Sequence, residues 1–225
     1  MEHDTHYIPA LGTRWLTPLY DPLLRWGMQE ARFKRYLVGQ SRVNLGERVL
    51  DLGCGTGTLT LMLKKAYPDA EVFGLDGDPQ ILSIARAKAA GAGVEIRWDD
   101  GLAYQLPYPD ESFDRVVSSL VLHHLTHENK QLTLREVLRV LRPGGEVHIV
   151  DFGPPHTTYA RLVAHLIVRF EVLDDNLRGQ LPVMLNAAGF ACVEAPARFD
   201  TLFGTLAAYC GQKSGTIRSA AASPT

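Results

Sequence analysis

An apolar strand that runs directly into glycines at alternate positions leaves few folds open, and residues 48–57 (RVLDLGCGTG) do this. Glycine lets the backbone turn tightly and lets a ligand approach the main chain with no Cβ in the way. A second apolar segment, EVFGL at 71–75, ends in Asp76. An acid about 20 residues beyond such a turn, at the tip of the next strand, can take the two hydroxyls of a ribose. Strand, glycine turn, helix, strand and acid together make a nucleoside-binding half-site.

Spacing narrows the ligand. The dinucleotide fingerprint is G-x-G-x-x-G. Here the third glycine, Gly57, comes one residue early, and Thr58 occupies the place the fingerprint reserves for it. Asp51, two residues before the first glycine, also disfavours a pyrophosphate on this turn, because an anion prefers a helix N-terminus without a carboxylate beside it. A cationic or zwitterionic ligand suits the site better. The string VLDLGCGTG resembles the first motif of the class I S-adenosylmethionine-dependent methyltransferases, and GLDGDP resembles their acidic loop after the second strand. PYPDESFDRVVSSLVLHHL (107–125) and REVLRVLRPGGEVHIVDFG (135–153) are similar to the branch that includes the ubiquinone and menaquinone C-methyltransferases. The likeness covers residues 45–153. Its motifs are specific for cofactor and fold and poor at naming substrates.

The resemblance implies S-adenosylmethionine as cofactor and a role for each matching position. Gly53, Cys54 and Gly55 would pack their backbone against it, with Asp51 near its amino-acid end. Asp76 would hold the ribose hydroxyls, with Gly77 beside it. The loop after the third strand would meet the adenine. Ser119 and Leu120, ending the fourth strand, would lie under the sulfonium. One departure stands out: the family places an acid where this chain has Leu102, while Asp99 and Asp100 fall earlier. Either the Asp100 side chain swings in to bind the adenine amino group, or the backbone of Gly101 and Leu102 does so; the backbone reading is preferred. The implied activity is methyl transfer by in-line displacement to a small-molecule nucleophile of aromatic, quinone-like or lipid type. The alternatives are a non-catalytic S-adenosylmethionine-binding or scaffold protein and, against the glycine spacing, an NAD-dependent oxidoreductase.

The rest of the chain predicts an α/β fold: a doubly wound, Rossmann-like, mostly parallel seven-stranded sheet with an antiparallel C-terminal hairpin and an N-terminal helical cap. Strands are expected at Arg48–Leu52, Val72–Leu75, Val94–Trp98, Asp114–Ser119, Val147–Phe152, Ala191–Phe199 and Thr205–Cys210. Helices are expected at Pro22–Val38, Thr58–Ala66, Pro79–Ala90, His127–Leu141, Thr158–Phe170 and Gln180–Ala188. Pro79 suits a first helical turn, Gly91 a stop, and Thr126 a cap. Residues 1–45 read as the cap of a single domain, 46–212 as the methyltransferase domain, and 213–225, small and polar, as a disordered tail. A chain of 225 residues is ample for one such domain.

Net charge is -2, with no run of Lys and Arg, so a nucleic-acid partner is not expected. Cys54, Cys192 and Cys210 have no paired or metal-type spacing, which fits a reduced, cytoplasmic setting. No secretory leader is evident. The apolar stretch 162–168 is interrupted by His165 and is too short to span a bilayer.

Three side chains are candidate catalysts. His123 and His124 follow the fourth strand, where a substrate sits in a doubly wound fold, and a neutral imidazole there can take a proton. Tyr20, in LYDP, matches a Tyr-Asp near the start of the quinone-type enzymes. No metal site is expected: the i,i+4 pairs His123/His127 and His124/Glu128 need one continuous helix, and H-E-x-x-H is absent. Tyr7, Trp15, Tyr20 and Trp26 either line an acceptor pocket or staple the first helix to the sheet. The helix at 158–170 closes a hydrophobic pocket, touches a membrane surface, or simply packs, the last being the default.

Overall fold

The computed structural model describes residues 29–167 and 173–215. Tyr7, Trp15, Tyr20 and Trp26 lie outside them. Seven strands form one sheet: β1 (Arg48–Leu52), β2 (Glu71–Asp76), β3 (Arg97–Asp100), β4 (Phe113–Ser119), β5 (Leu141–Phe152), β6 (Ala191–Thr201) and β7 (Gly204–Gln212). Their order is β3-β2-β1-β4-β5-β7-β6. The first five are parallel, and β7 runs antiparallel to both β5 and β6. The helices are α1 (Glu30–Ser41), α2 (Thr58–Ala66), α3 (Pro79–Gly91), α4 (His127–Val140), α5 (Thr158–Ile167), α6 (Asp174–Leu177) and α7 (Leu181–Ala188).

Both faces of the central strands are covered, as a parallel sheet requires. Val49, Val72, Val117 and Val150 pack with Phe33 and Leu37 of α1 and Leu59 and Leu63 of α2. Leu50, Phe73, Val116 and Ile149 face the other way, towards Leu134 and Val137 of α4 and Leu181 and Leu185 of α7. Caps fix where helices begin. The Asp78 carboxylate accepts from Gln80 N–H at 2.8 Å, with Pro79 following, and Thr126 Oγ1 accepts from Asn129 N–H at 3.2 Å.

Several boundaries differ from the sequence reading. β3 lies later than expected and pairs from Phe73↔Arg97 to Asp76↔Asp100, so Asp99 and Asp100 are strand rather than loop. Trp98 explains the register: a Cβ on Gly74 would fall 2.5 Å from its ring and one on Gly57 2.6 Å, so the indole occupies space that two glycines leave open. β5 starts at Leu141, which pairs with Phe113 before the register shifts. Lys213, assigned to the tail by composition, donates its Nζ to Leu141 O at 2.7 Å. The first helix begins at Glu30 among the described residues, and residues 22–28 lie outside them. Among the described side chains of α5, Ala160 and Ala164 are buried while Tyr159 and Leu162 are exposed, so the helix packs on one face. Tyr159 instead donates its hydroxyl to Leu202 O at 2.7 Å.

Candidate functional site

Strand order reverses at β1, which lies between β2 and β4. Ligands of doubly wound sheets bind at such a switch point, beyond the carboxyl ends of the strands. A cavity of about 400 Å³ opens there.

One wall is backbone. Gly53 N–H and Cys54 N–H both donate to Leu75 O, at 2.8 and 2.9 Å, tying the turn after β1 to the end of β2. Gly53 has φ 68°, and a Cβ there would collide with Val121. The Asp76 carboxylate accepts from Gly55 N–H at 2.8 Å and from Asp78 N–H at 3.1 Å. Burial raises its pKa, and these two donors pull the other way. Its carboxylate is thereby fixed in position while still lining the cavity.

Gly53, Cys54, Gly55, Asp76 and Gly77 all line this wall, and Gly101, Leu102, Ser119 and Leu120 line the remainder. Asp100 does not: it is exposed and outside the wall. Asp51 lies beneath the turn, wholly buried. Its Oδ2 accepts from Thr60 Oγ1 at 2.6 Å, and its Oδ1 has no hydrogen-bond partner among the described residues. Burial pushes its pKa up to about 6, while Thr60 and Lys34 pull it down. The Cys54 thiol, also buried and near Asp51 and Asp76, is pushed well above its ordinary range and stays protonated.

The two histidines separate. His124 lines the cavity, and His123 lies behind it with ring centroids 3.9 Å apart. Crowding by protein and the neighbouring His123 push His124 down to about 4, so its imidazole is neutral at pH 7. The ring is also open to solvent along the cavity. Water there works against the shift, and a ligand that displaced it would reinforce the neutral form. His127, which begins α4, turns away to Asp175 at 3.0 Å. The four residues of the metal alternative therefore share no continuous helix, and among the described residues no group of three or more His, Cys, Asp or Glu is placed to hold a metal.

Three contributors were not anticipated. Glu30 and Lys34 of α1 line the cavity and pair with each other. Their i,i+4 spacing was visible, but nothing in it pointed towards the glycine turn. Asp151 closes β5 and organises the loop after β4. Its signal was legible: an acid ends the apolar run VHIVD as Asp51 and Asp76 end theirs.

Residues 49–145 match a family described as a methyltransferase domain. The chain is 40% identical over 143 residues to the demethylmenaquinone methyltransferase of Thermus thermophilus, a match covering 62% of this chain and 64% of that one. It is 34% identical over 152 residues to the 2-phytyl-1,4-naphtoquinone methyltransferase of Synechococcus elongatus, covering 65% and 64%. Among solved structures, YcgJ of Bacillus subtilis superposes with a TM-score of 0.67 at 20% identity, over 82% of this chain and 99% of that one. A Haemonchus contortus phosphoethanolamine N-methyltransferase superposes with a TM-score of 0.68 at 16% identity, over 81% and 52%.

The sheet has the order and the mixed character of a doubly wound domain, and residues 49–145 are similar to the class of methyltransferase domains. Within that class, its sequence is similar to enzymes named for demethylmenaquinone and phytyl-naphthoquinone. The chain matches less than two thirds of the length of those two relatives.

Proposed function

We propose that the chain transfers a methyl group from S-adenosylmethionine to a small-molecule nucleophile, a reduced quinone or similar phenolic ring. The observation that carries this reading is one cavity walled on one side by the glycine turn and Asp76 and on another by Ser119, Leu120 and His124.

The residues present fit the cofactor. Asp76 is oriented by two backbone donors and keeps acceptor capacity for a ribose. Gly101 and Leu102 line the cavity beside Asp76, whose carbonyl accepts from Gly101 N–H at 3.2 Å, and Asp100 does not line it, which supports backbone rather than Asp100 recognition of the adenine. Asp51 has an orphaned buried oxygen and Lys34 and Glu30 stand at the wall, a donor set suited to a zwitterionic amino-acid moiety. When bound, S-adenosylmethionine supplies a methyl group activated on a sulfonium.

The protein's own contribution is then mostly alignment. Fixing two reactants in line is worth up to about 7–11 kcal/mol. Leu120, Val121 and Leu125 present an apolar wall that excludes water. An acceptor hydroxyl must lose its proton, and the neutral imidazole of His124 can take it. His123 is the runner-up, held one ring further back. Tyr20 stays a candidate from the resemblance alone. A cytoplasmic setting agrees with three free cysteines; among the described residues no helix is long and apolar enough to cross a membrane.

Calorimetry with S-adenosylmethionine tests the donor half. Wild type should bind, and Asp76→Ala should weaken binding more than about tenfold, because a ribose hydroxyl pair loses its charged acceptor. Absence of wild-type binding would end this reading. Mass spectrometry after incubation with reduced demethylmenaquinone tests the acceptor half.

A further inference from the structure

We infer that Asp151 is a positioning residue for His124: from the end of β5 it fixes the turn after β4 and the ring of His123, on which the His124 ring rests. This rests on the proposed methyl-transfer reading, in which His124 faces the acceptor.

The geometry is unusually over-determined for a strand end. Asp151 is wholly buried. Its Oδ2 accepts from the N–H groups of Val121, Leu122 and His123, at 3.1, 2.8 and 3.4 Å. Its Oδ1 accepts from Phe152 N–H at 2.7 Å and meets His123 Nδ1 at 2.8 Å. An ionised carboxylate has no proton to give, so the proton of that contact sits on Nδ1 and the tautomer of a neutral His123 is set. Phe152 stands edge-on to the His123 ring, 4.9 Å away at 80°, and blocks rotation on that side. The His124 ring lies against the His123 ring, with centroids 3.9 Å apart and planes tilted by 40°.

The same carboxylate sustains backbone strain. Leu120 has φ 59°, a left-handed conformation that costs a non-glycine residue about 1 kcal/mol or more. Leu120 N–H is held by Val150 O at 2.9 Å, and the next three N–H groups are held by Asp151. The strained residue and His124 both line the cavity, on either side of this anchored turn. Three consecutive backbone donors on one oxygen tie the strand end to this particular turn.

Asp151→Asn tests the inference in the full chain. The amide keeps one acceptor oxygen and turns the other into a donor, so it cannot serve both the turn and His123 Nδ1. Binding of S-adenosylmethionine should stay within about threefold of wild type. In imidazole NMR spectra, the His123 Nδ1–H signal should be lost and the His124 ring signals should move. Turnover of reduced demethylmenaquinone should fall roughly tenfold or more, and Asp151→Asn should add no further loss to His124→Gln. Unmoved His124 signals, additive losses in the double variant, or donor binding weakened about tenfold would each overturn the inference. Should Asp151→Asn not fold, His123→Gln leaves the carboxylate and turn in place, and the His124 signals must still move. A wild type that binds no donor would remove the methyl-transfer reading, while the His124 signals would still decide the positioning.

Discussion

Two aspartates are both fully buried near the carboxyl ends of central strands, and their carboxyls are shifted in opposite directions. Asp51 ends the apolar run of β1, Asp151 that of β5, and both are fully buried. Asp51 has one donor, Thr60 Oγ1, and burial raises its pKa to about 6. At Asp151 burial acts in the same direction, but His123 and four backbone N–H groups outweigh it and hold the carboxyl below its usual range. Depth alone therefore does not set the direction in which a buried acid is shifted; the aimed donors and the neighbouring histidine do. On the side proposed for the methyl donor an oxygen able to accept a hydrogen bond is left over. On the acceptor side every available lone pair is committed to architecture.

The comparison breaks most visibly in stability. Asp151→Ala strands three consecutive N–H groups and a histidine in the interior, and should cost on the order of 3–5 kcal/mol in chemical denaturation. A cost under about 1 kcal/mol would mean that the turn finds other partners and that the two carboxylates are not different in kind.

Asp51→Asn should have the opposite sign. It removes a poorly solvated charge and keeps an acceptor for Thr60, so at pH 7 it should stabilise the free protein by on the order of 2 kcal/mol. The sign follows from linkage. The folded pKa lies above the unfolded value, so the folded chain binds more protons between about pH 4 and 6, and wild-type stability falls as pH rises through that window. The asparagine variant should lack this fall. Donor affinity should move the other way, weaker in the variant and, in wild type, stronger as pH rises past about 6, because the ionised form is the one a cationic ligand selects. A pH-independent wild-type stability over this window would show that Asp51 is solvated or paired.

The two sides also differ in how much the sequence reveals, for a related reason. The donor side is built from backbone, and backbone needs are written as residue types at fixed spacing: Gly53, Gly55, Asp76 and the Asp78–Pro79 helix start were all readable. The order of alternation predicted the parallel half of the sheet and its antiparallel hairpin. β3 was misplaced because its position is set by Trp98 fitting over Gly74 and Gly57, a contact between distant segments. The acceptor side is built from side chains that meet across the fold. His123 and Asp151 are 28 residues apart, and nothing local announces that their atoms come within 2.8 Å. Likewise the role of Lys34 depends on where α1 lies over the sheet, which its own periodicity does not contain.

The smallest effect tests whether the two sides are mechanically joined. Gly53 belongs to the donor turn and Val121 to the turn held by Asp151, and a Cβ on the first would strike the second. Gly53→Ala should therefore carry two costs. One is local strain from φ 68°, about 1 kcal/mol for a non-glycine residue, which persists whatever the neighbour. The other is the collision, which Val121→Ala should relieve. A double-variant cycle read by denaturation should show favourable coupling of about 1 kcal/mol between the two substitutions. If Val121 is held against Gly53 by its backbone bond to Asp151, the coupling should disappear in the Asp151→Asn background, where the turn is less firmly pinned. Coupling that survives there would place the rigidity of Val121 in the packing around it and leave the donor turn independent of the β5 carboxylate.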